Sequence, residues 1–231
     1  MILKDRKKEI FDILYEEGRI SVSKLAEILY VSEMTIRRDL SDMEKNGILK
    51  RYRGGAVLTA THSEMPISRR FFVDENEKKD LSKQSVKFLD DNLTIYIDSS
   101  STCQYIIPYI NKFKNITLIT NSVNALLMAS RMQIPCILIG GKYYCQDMCF
   151  VGSLTEQYAE QFNVDVAFFS SLGMSEDGII SDPDIEQTMV RRIIMDHSKK
   201  NIFLFEKNKL NKKYLYTLCH KNDVDELLIS K

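Results

Sequence analysis

Two groups of residues in this sequence have types and spacings suited to chemistry. The first is the adjacent pair Arg37 and Arg38, within "LYVSEMTIRRDL" (Leu29 to Leu40). A guanidinium is a planar fork that can pair bidentately with guanine O6 and N7. The second is a set of small polar and charged residues that follow apolar runs. It comprises Asp98, Ser99, Ser100, Ser101 and Thr102, then Asn121 and Ser122, then Gly140, Gly141 and Lys142. It continues with Gly152 and Ser153 at a helix start, then Asp184, Glu186 and Arg191, and ends with Lys209. Small residues that open helices present free amides to an oxyanion or phosphate. Asn, Asp and Glu suit sugar hydroxyls. No metal chemistry is expected. Cys145 and Cys149 have a C-x3-C spacing with no second ligand pair nearby, and the three histidines are scattered.

The arginine pair needs a helix to present it. Residues 4–17 place Ile10, Ile13 and Leu14 on one face, and residues 22–29 place Leu25, Ile28 and Leu29 together behind Ser21 as N-cap. A third helix is predicted from Glu33 to about Lys45, with Ser32 as its N-cap. At about 100° per residue, Ile36, Leu40 and Met43 form its buried stripe. Met34, Arg37, Arg38, Ser41 and Lys45 face outward, and Glu33 and Asp39 flank the core, where Asp39 can fix an arginine's orientation. Thr35 and the first-turn amides suit a phosphate, and Met34 a thymine methyl. Two short strands are then predicted, Ile48–Tyr52 and Ala56–Leu58, with "RGG" supplying the positive φ of a hairpin turn. Lys50, Arg51 and Arg53 put positive charge on that hairpin, where a wing meets DNA backbone. Three helices and a basic hairpin outline a winged helix-turn-helix over residues 1–58. A solvated helix with i,i+4 charge pairs is the plain alternative for the third helix taken alone.

Residues 59–74, with Pro66, read as a linker. Over 75–231 strands such as "LTIYI", "ITLIT", "PCILIG" and "NIFLFE" alternate with helical patterns. That texture predicts an α/β domain with a mainly parallel sheet covered on both faces. In such a sheet ligands bind beyond the carboxyl ends of the strands, which is where the second group of residues falls.

The stretch "RKKEIFDILYEEGRISVSKLAEILYVSEMTIRRDLSDMEKNGILKRYRGGAVL" resembles the N-terminal domain of the DeoR family of bacterial transcriptional regulators. "VSEMTIRRDL" followed by the residues of "LKRYRGGA" looks like that family's signature. One departure is Tyr30, at a turn position usually held by Gly or Asn, where a positive φ would strain tyrosine by ~1 kcal/mol. Residues from about 75 to 230 also resemble the family, whose effector domain looks like the sugar-phosphate isomerase and CoA-transferase superfamily. Asp98, Ser99, Thr102, Asn121, Gly140, Gly141, Gly152, Asp184, Glu186 and Lys209 match motif positions, and Arg191 replaces a usual Lys. Ser100 stands where the family has Gly, Ser101 where it has Thr, Leu172 where Asp, Ser or Asn is usual, Glu206 for Asp and Asn211 for Gly. The resemblance implies a phosphorylated sugar or related metabolite as effector, and the departures imply an unusual effector or weakened binding of the typical one.

Composition narrows the classes. With 44% hydrophobic and 28% charged residues the chain reads as globular, and 32 basic against 32 acidic groups exclude a global charge argument for nucleic acid. The first 60 residues hold 12 basic and 10 acidic groups, so any DNA contact must be local. No apolar run approaches the ~18 residues that span a bilayer. The start "MILKDRKKEI" has no signal-type apolar region, and the five cysteines read as reduced thiols. The expectation is a cytoplasmic regulator, a repressor of sugar metabolism, that uses no cofactor and touches no membrane. Its partners are a double-stranded DNA operator, a phosphorylated sugar and further copies of itself as a dimer or tetramer. Two alternatives stay open: a C-terminal domain that only oligomerises, and an isomerase-type enzyme using Glu186 and Lys209.

Overall fold

The computed structural model describes residues 2–45, 49–57 and 65–231. The chain divides into two compact units between Val73 and Asp74. The first unit begins with α1 (Ile2–Glu17), β1 (Arg19–Ser21), α2 (Val22–Ile28) and α3 (Glu33–Lys45). It continues with β2 (Lys50–Tyr52), β3 (Gly55–Val57) and α4 (Ile67–Arg70). Ile10 and Leu14 of α1, Leu25 of α2, and Ile36, Leu40 and Met43 of α3 share one buried cluster. The apolar spacing therefore places these faces correctly, with one exception. Ile28 is 41% exposed, because α2 turns Val22 and Leu25 inward instead. Ser21 caps α2 by accepting from the Lys24 amide at 3.2 Å.

The hairpin forms as β2 and β3, and β1 adds to it in the order β1-β3-β2, all antiparallel. The apolar pattern does not announce β1, because "RIS" offers one buried side chain, Ile20. The two wing glycines serve different needs. Gly54 has φ 98°, as the turn requires. Gly55 is needed for space, since a Cβ there would lie 2.3 Å from the Ile20 carbonyl oxygen. The expected strand ends Ile48 and Leu58 lie outside the described residues.

The second half of the expected linker is folded. Met65 and Val73 are buried in the cluster of the first unit, and α4 lies between them. Apolar residues spaced through a polar segment dock when a helical cluster offers a surface. Residues 58–64 lie outside the described ones.

The second unit starts with α5 (Glu75–Ser85), β4 (Thr94–Ile97), α6 (Ser101–Gln104), α7 (Ile107–Ile110), β5 (Thr117–Thr120), α8 (Val123–Arg131) and β6 (Cys136–Leu138). It goes on with β7 (Lys142–Tyr144), β8 (Cys149–Val151), α9 (Ser153–Ala159), β9 (Val166–Phe169), β10 (Gly173–Met174) and β11 (Ile179–Asp182). It ends with α10 (Ile185–Asp196), β12 (Asn201–Phe205), β13 (Tyr216–His220) and β14 (Glu226–Ile229). Six strands make a wholly parallel sheet in the order β14-β12-β9-β4-β5-β6. Alternate residues serve opposite faces. Ile95, Ile97, Leu118, Phe168, Ile202 and Leu204 join one buried cluster. Tyr96, Ile119, Ala167, Phe169, Phe203 and Phe205 join the other. Burial on both faces is why these strands read as unbroken apolar runs. β10, β11 and β13 form a separate antiparallel sheet, and β7 and β8 a ribbon.

The buried stripe of α3 also contains Asp39, only 1% exposed. Its Oδ2 accepts from Arg6 Nε of α1 at 2.6 Å, so the arginine it orients is not on its own helix. A buried carboxylate left without its cation is destabilising by about 3 kcal/mol. Arg6→Met is therefore expected to lower the unfolding free energy of the first unit by about that much, read by denaturant titration. Adding Asp39→Asn to Arg6→Met should recover part of the loss.

Candidate functional site

The exposed face of α3 carries Met34, 79% exposed, with Arg37, Arg38 and Lys45, while Ser41 is half-buried. Ser32 Oγ caps the helix start by accepting from the Thr35 amide at 3.2 Å, and it shares a 2.9 Å hydroxyl contact with Thr35 Oγ1. The arginines differ. Arg37 donates to Glu33 at 2.7 Å, an exposed i,i+4 pair. Such pairs are worth about 0.3–0.5 kcal/mol, so Glu33 is easily displaced from Arg37. Arg38 has no partner among the described residues and is the freer fork. On the hairpin, Arg51 Nε lies 2.7 Å from Glu44 of α3, and the Arg51 amide donates to the same carboxylate at 2.9 Å. Arg51 thus fastens the wing to α3, and Lys50 and Arg53 are exposed on it. Between helix and wing lies an open groove of about 460 Å³, lined by Arg37, Glu44, Arg51 and Arg53 among others.

In the second unit the residues after β4, β5, β9 and β12 converge at the carboxyl ends of the sheet. Asp98 is fully buried. Its Oδ1 accepts from the Ser100 amide at 2.9 Å and from the Ser100 hydroxyl. Its Oδ2 accepts from the Ser170 amide at 3.1 Å and from Arg191 Nε at 3.2 Å. Arg191 also reaches Asp182 at 2.8 Å. Both oxygens of Asp98 are therefore engaged by protein donors, and its place is to hold loops together. Lys209 is equally enclosed. Its Nζ donates to Ser170 Oγ at 2.8 Å and Thr102 Oγ1 at 3.1 Å. It also lies 2.8 Å from Glu206 Oε2, an ion pair off the hydrogen-bonding direction. Ser99 donates to Gln187, which in turn donates to Asp147.

Several expected residues have structural duties. Ser100, Ser122 and Asp184 cap α6, α8 and α10. Ser101 is buried in the first turn of α6. Asn121 turns inward, accepting from Tyr96 and donating to the Phe150 carbonyl, both at 2.9 Å. Lys142 and Glu186 do not join the buried network. They pair with each other at 2.8 Å on the surface, beside Gly152. Gly141 has φ 151°, and a Cβ there would collide with Thr155 Oγ1. Asn211 has φ 58°, the backbone that glycine takes readily and asparagine tolerates. Cys145 is exposed and Cys149 buried, and among the described residues no group of three or more His, Cys, Asp or Glu is placed to hold a metal.

Sequence reasoning missed Lys78, Gln104, Asp147, Ser170, Asp182 and Gln187 as site residues. Lys78 had a readable signal. It sits with Leu81, Ser82 and Ser85 on the buried stripe of α5, although "EKKD" reads as a solvated charge run. Its Nζ lies 3.6 Å from Glu206 Oε1, and both side chains are 1% exposed. Gln104 donates to the Ser99 carbonyl and to Ser122 Oγ, each at 3.1 Å. Its own Oε1 is buried and has no donor.

Burial pushes the Glu206 carboxyl up, but the ammonium groups of Lys209 and Lys78 outweigh it and bring it down to about 2 from the usual 4.5. Arg191 is held above its ordinary value, because Asp182 and Asp98 overcome its burial. A depressed carboxyl contributes stability that is present above its unfolded value and lost as pH falls through its folded one. The stability gap between wild type and Glu206→Gln, measured by denaturant melts, is expected to be widest near neutrality. It should close as pH falls from 4.5 towards about 2.

Comparison with known proteins agrees with this two-unit plan. The DeoR-like helix-turn-helix domain profile matches residues 6–62, and the DeoR C terminal sensor domain profile matches residues 73–231. The lactose phosphotransferase system repressor of Staphylococcus epidermidis is 29% identical over 229 residues, covering 97% of this chain and 90% of that protein. The glycerol-3-phosphate regulon repressor of Escherichia coli is 24% identical over 221 residues, covering 95% and 88%. Among solved structures, ribose 5-phosphate isomerase A from Methanocaldococcus jannaschii is a distant likeness, at 17% identity and a TM-score of 0.44, covering 59% and 55%. The chain belongs to the DeoR family and is a sequence-specific DNA-binding transcriptional regulator, not an enzyme.

Proposed function

We propose that this regulator is a cytoplasmic repressor whose α3 enters the DNA major groove and whose strand-end network receives a phosphorylated sugar or related anionic metabolite. The observation that carries the sensing half is the enclosed trio of Lys209, Thr102 and Ser170, with the donorless Gln104 Oε1 in the same polar region. A buried acceptor without a donor is costly, and a ligand hydroxyl would supply one. Lys209 and the hydroxyls would take the phosphate. The relatives named for a lactose phosphotransferase system and a glycerol-3-phosphate regulon support a ligand of that class.

On the DNA side, Arg38 and Arg37 would read base edges, with Met34 against a thymine methyl. Ser32, Thr35, Ser41, Lys45, Lys50 and Arg53 would position the backbone, and Arg51 would hold the wing. Two or more copies would meet half-sites about 34 Å apart or multiples of that. Among the described residues no helix is long and apolar enough to cross a membrane.

Sensing needs a route out of this network. The start of α5, the first element of the sensor unit, is fastened to the loop that carries Lys209. Asn208 donates to Asp74, the Lys207 amide donates to Glu77 at 3.1 Å, and Lys78 pairs with Glu206. A ligand that moves Lys209 therefore pulls on the segment joined to the DNA-binding unit.

Two measurements test the reading. Arg38→Ala should weaken operator binding by about 1–3 kcal/mol and relax selectivity at one base pair. Unchanged affinity and selectivity would remove α3 from the groove. In a thermal-shift panel, a phosphorylated sugar should stabilise the chain by about 2.7 kcal/mol at a hundred times its Kd. The unphosphorylated sugar should give little, and Lys209→Met should abolish the response while leaving operator binding in place. No response to any phosphorylated sugar would favour a C-terminal unit that only oligomerises.

A further inference from the structure

We propose that Tyr30 is itself a DNA-contacting residue, laying its ring and phenol on the sugar-phosphate backbone of the duplex that α3 enters. The inference rests on the reading of α3 as the groove helix. It starts from two independent features of Tyr30. Its backbone has φ 52°, a left-handed conformation that strains a tyrosine. Its side chain is 95% exposed, so no packing within the chain offsets that strain.

The turn does not need the ring. It is closed by backbone hydrogen bonds, from Leu29 to Leu25 at 3.0 Å, Tyr30 to Glu27 at 3.3 Å and Val31 to Ala26 at 3.1 Å. Glycine or asparagine would make the same bonds with less strain. Water does not reward an exposed aromatic ring either. A partner that covers the ring accounts for both features at once.

Position says which partner. Tyr30 stands two residues before Ser32, whose hydroxyl caps α3, and four before the exposed Met34. Five large apolar side chains are exposed among the described residues of the first unit: Ile28, Tyr30, Met34, Tyr52 and Phe72. Three of them lie between positions 28 and 34, from the last residue of α2 through the turn to the first turn of α3. The free amides of that helix start favour a phosphate nearby. A tyrosine phenol donates to phosphate oxygen, and its ring covers deoxyribose. The phenol is uncharged, so its contact displaces no counterion.

The full-length chain would be used to select a duplex from a random pool, and binding would be compared with that to an unrelated duplex. Tyr30→Asn and Tyr30→Gly are expected to weaken binding to both duplexes alike, by about tenfold. The slope of log Kd against log salt should stay as in wild type, and the melting temperature should hold or rise. Tyr30→Phe should keep the ring's share and lose the phenol's. Affinities for the Asn and Gly variants within about twofold of wild type would overturn the proposal. So would a lowered melting temperature, which would make the ring structural. Loss of self-association without DNA, seen by sedimentation and accounting for the weaker binding, would place the ring against a second copy. Arg38→Ala run in parallel tests the groove helix separately, since it should weaken binding to the selected duplex more than to the unrelated one, whereas the Tyr30 variants weaken both alike.

Discussion

Arg191 sits almost fully enclosed between two carboxylates, and the sensor unit is organised around it. Removing an ion from water costs several kcal/mol unless its neighbours are well placed. Asp98 at the end of β4, Asp182 at the end of β11 and the Ser170 amide after β9 are held by this requirement. One cation against two anions leaves an excess negative charge. Nearby, Lys78 and Lys209 against Glu206 leave an excess positive one. Ser170 touches both sets, through its amide to Asp98 and its hydroxyl to Lys209. These two sets therefore carry opposite excess charge, and Ser170 joins them. The proposed anionic ligand would redistribute that charge, which is a physical reason for its binding to be felt beyond the network.

The DNA-binding unit uses charge in the opposite way. The pair of Arg6 with the buried Asp39 fixes α1 against α3. The cations of α3 and the wing stay in solvent or are loosely held, as Arg37 is by Glu33. Exposed pairs contribute little to stability and exchange partners at small expense. A surface meant to trade water and counterions for phosphate is best left this way. The net charge of zero conceals this local arrangement.

Any effect of ligand on DNA must be returned as an equal effect of DNA on ligand. On the proposed reading, the start of α5 is where such an exchange would pass. Asp74, Glu77 and Lys78 grip the loop 206–209, and the chain preceding Asp74 belongs to the DNA-binding unit.

The sequence by itself determined the helix faces, the hairpin, the parallel sheet and the end of the sheet at which polar residues gather. Periodicity and turn chemistry are local, and local rules suffice for them. The positive φ of Tyr30 is a different case: the family resemblance implies it, since that turn position is usually held by Gly or Asn. Only the tertiary structure decided which polar groups meet. Asp39 takes Arg6, 33 positions away, and Thr102 meets Glu206 across 104. Asp98, legible as a ligand-facing carboxylate, is instead filled by Ser100, Ser170 and Arg191. Lys142 and Glu186, legible as pocket residues, pair at the surface. β1 and the docked segment 65–73 gained their structure from surfaces supplied by other elements. Pairing of buried charges is settled by distance and desolvation in three dimensions, and neither quantity is written in residue order.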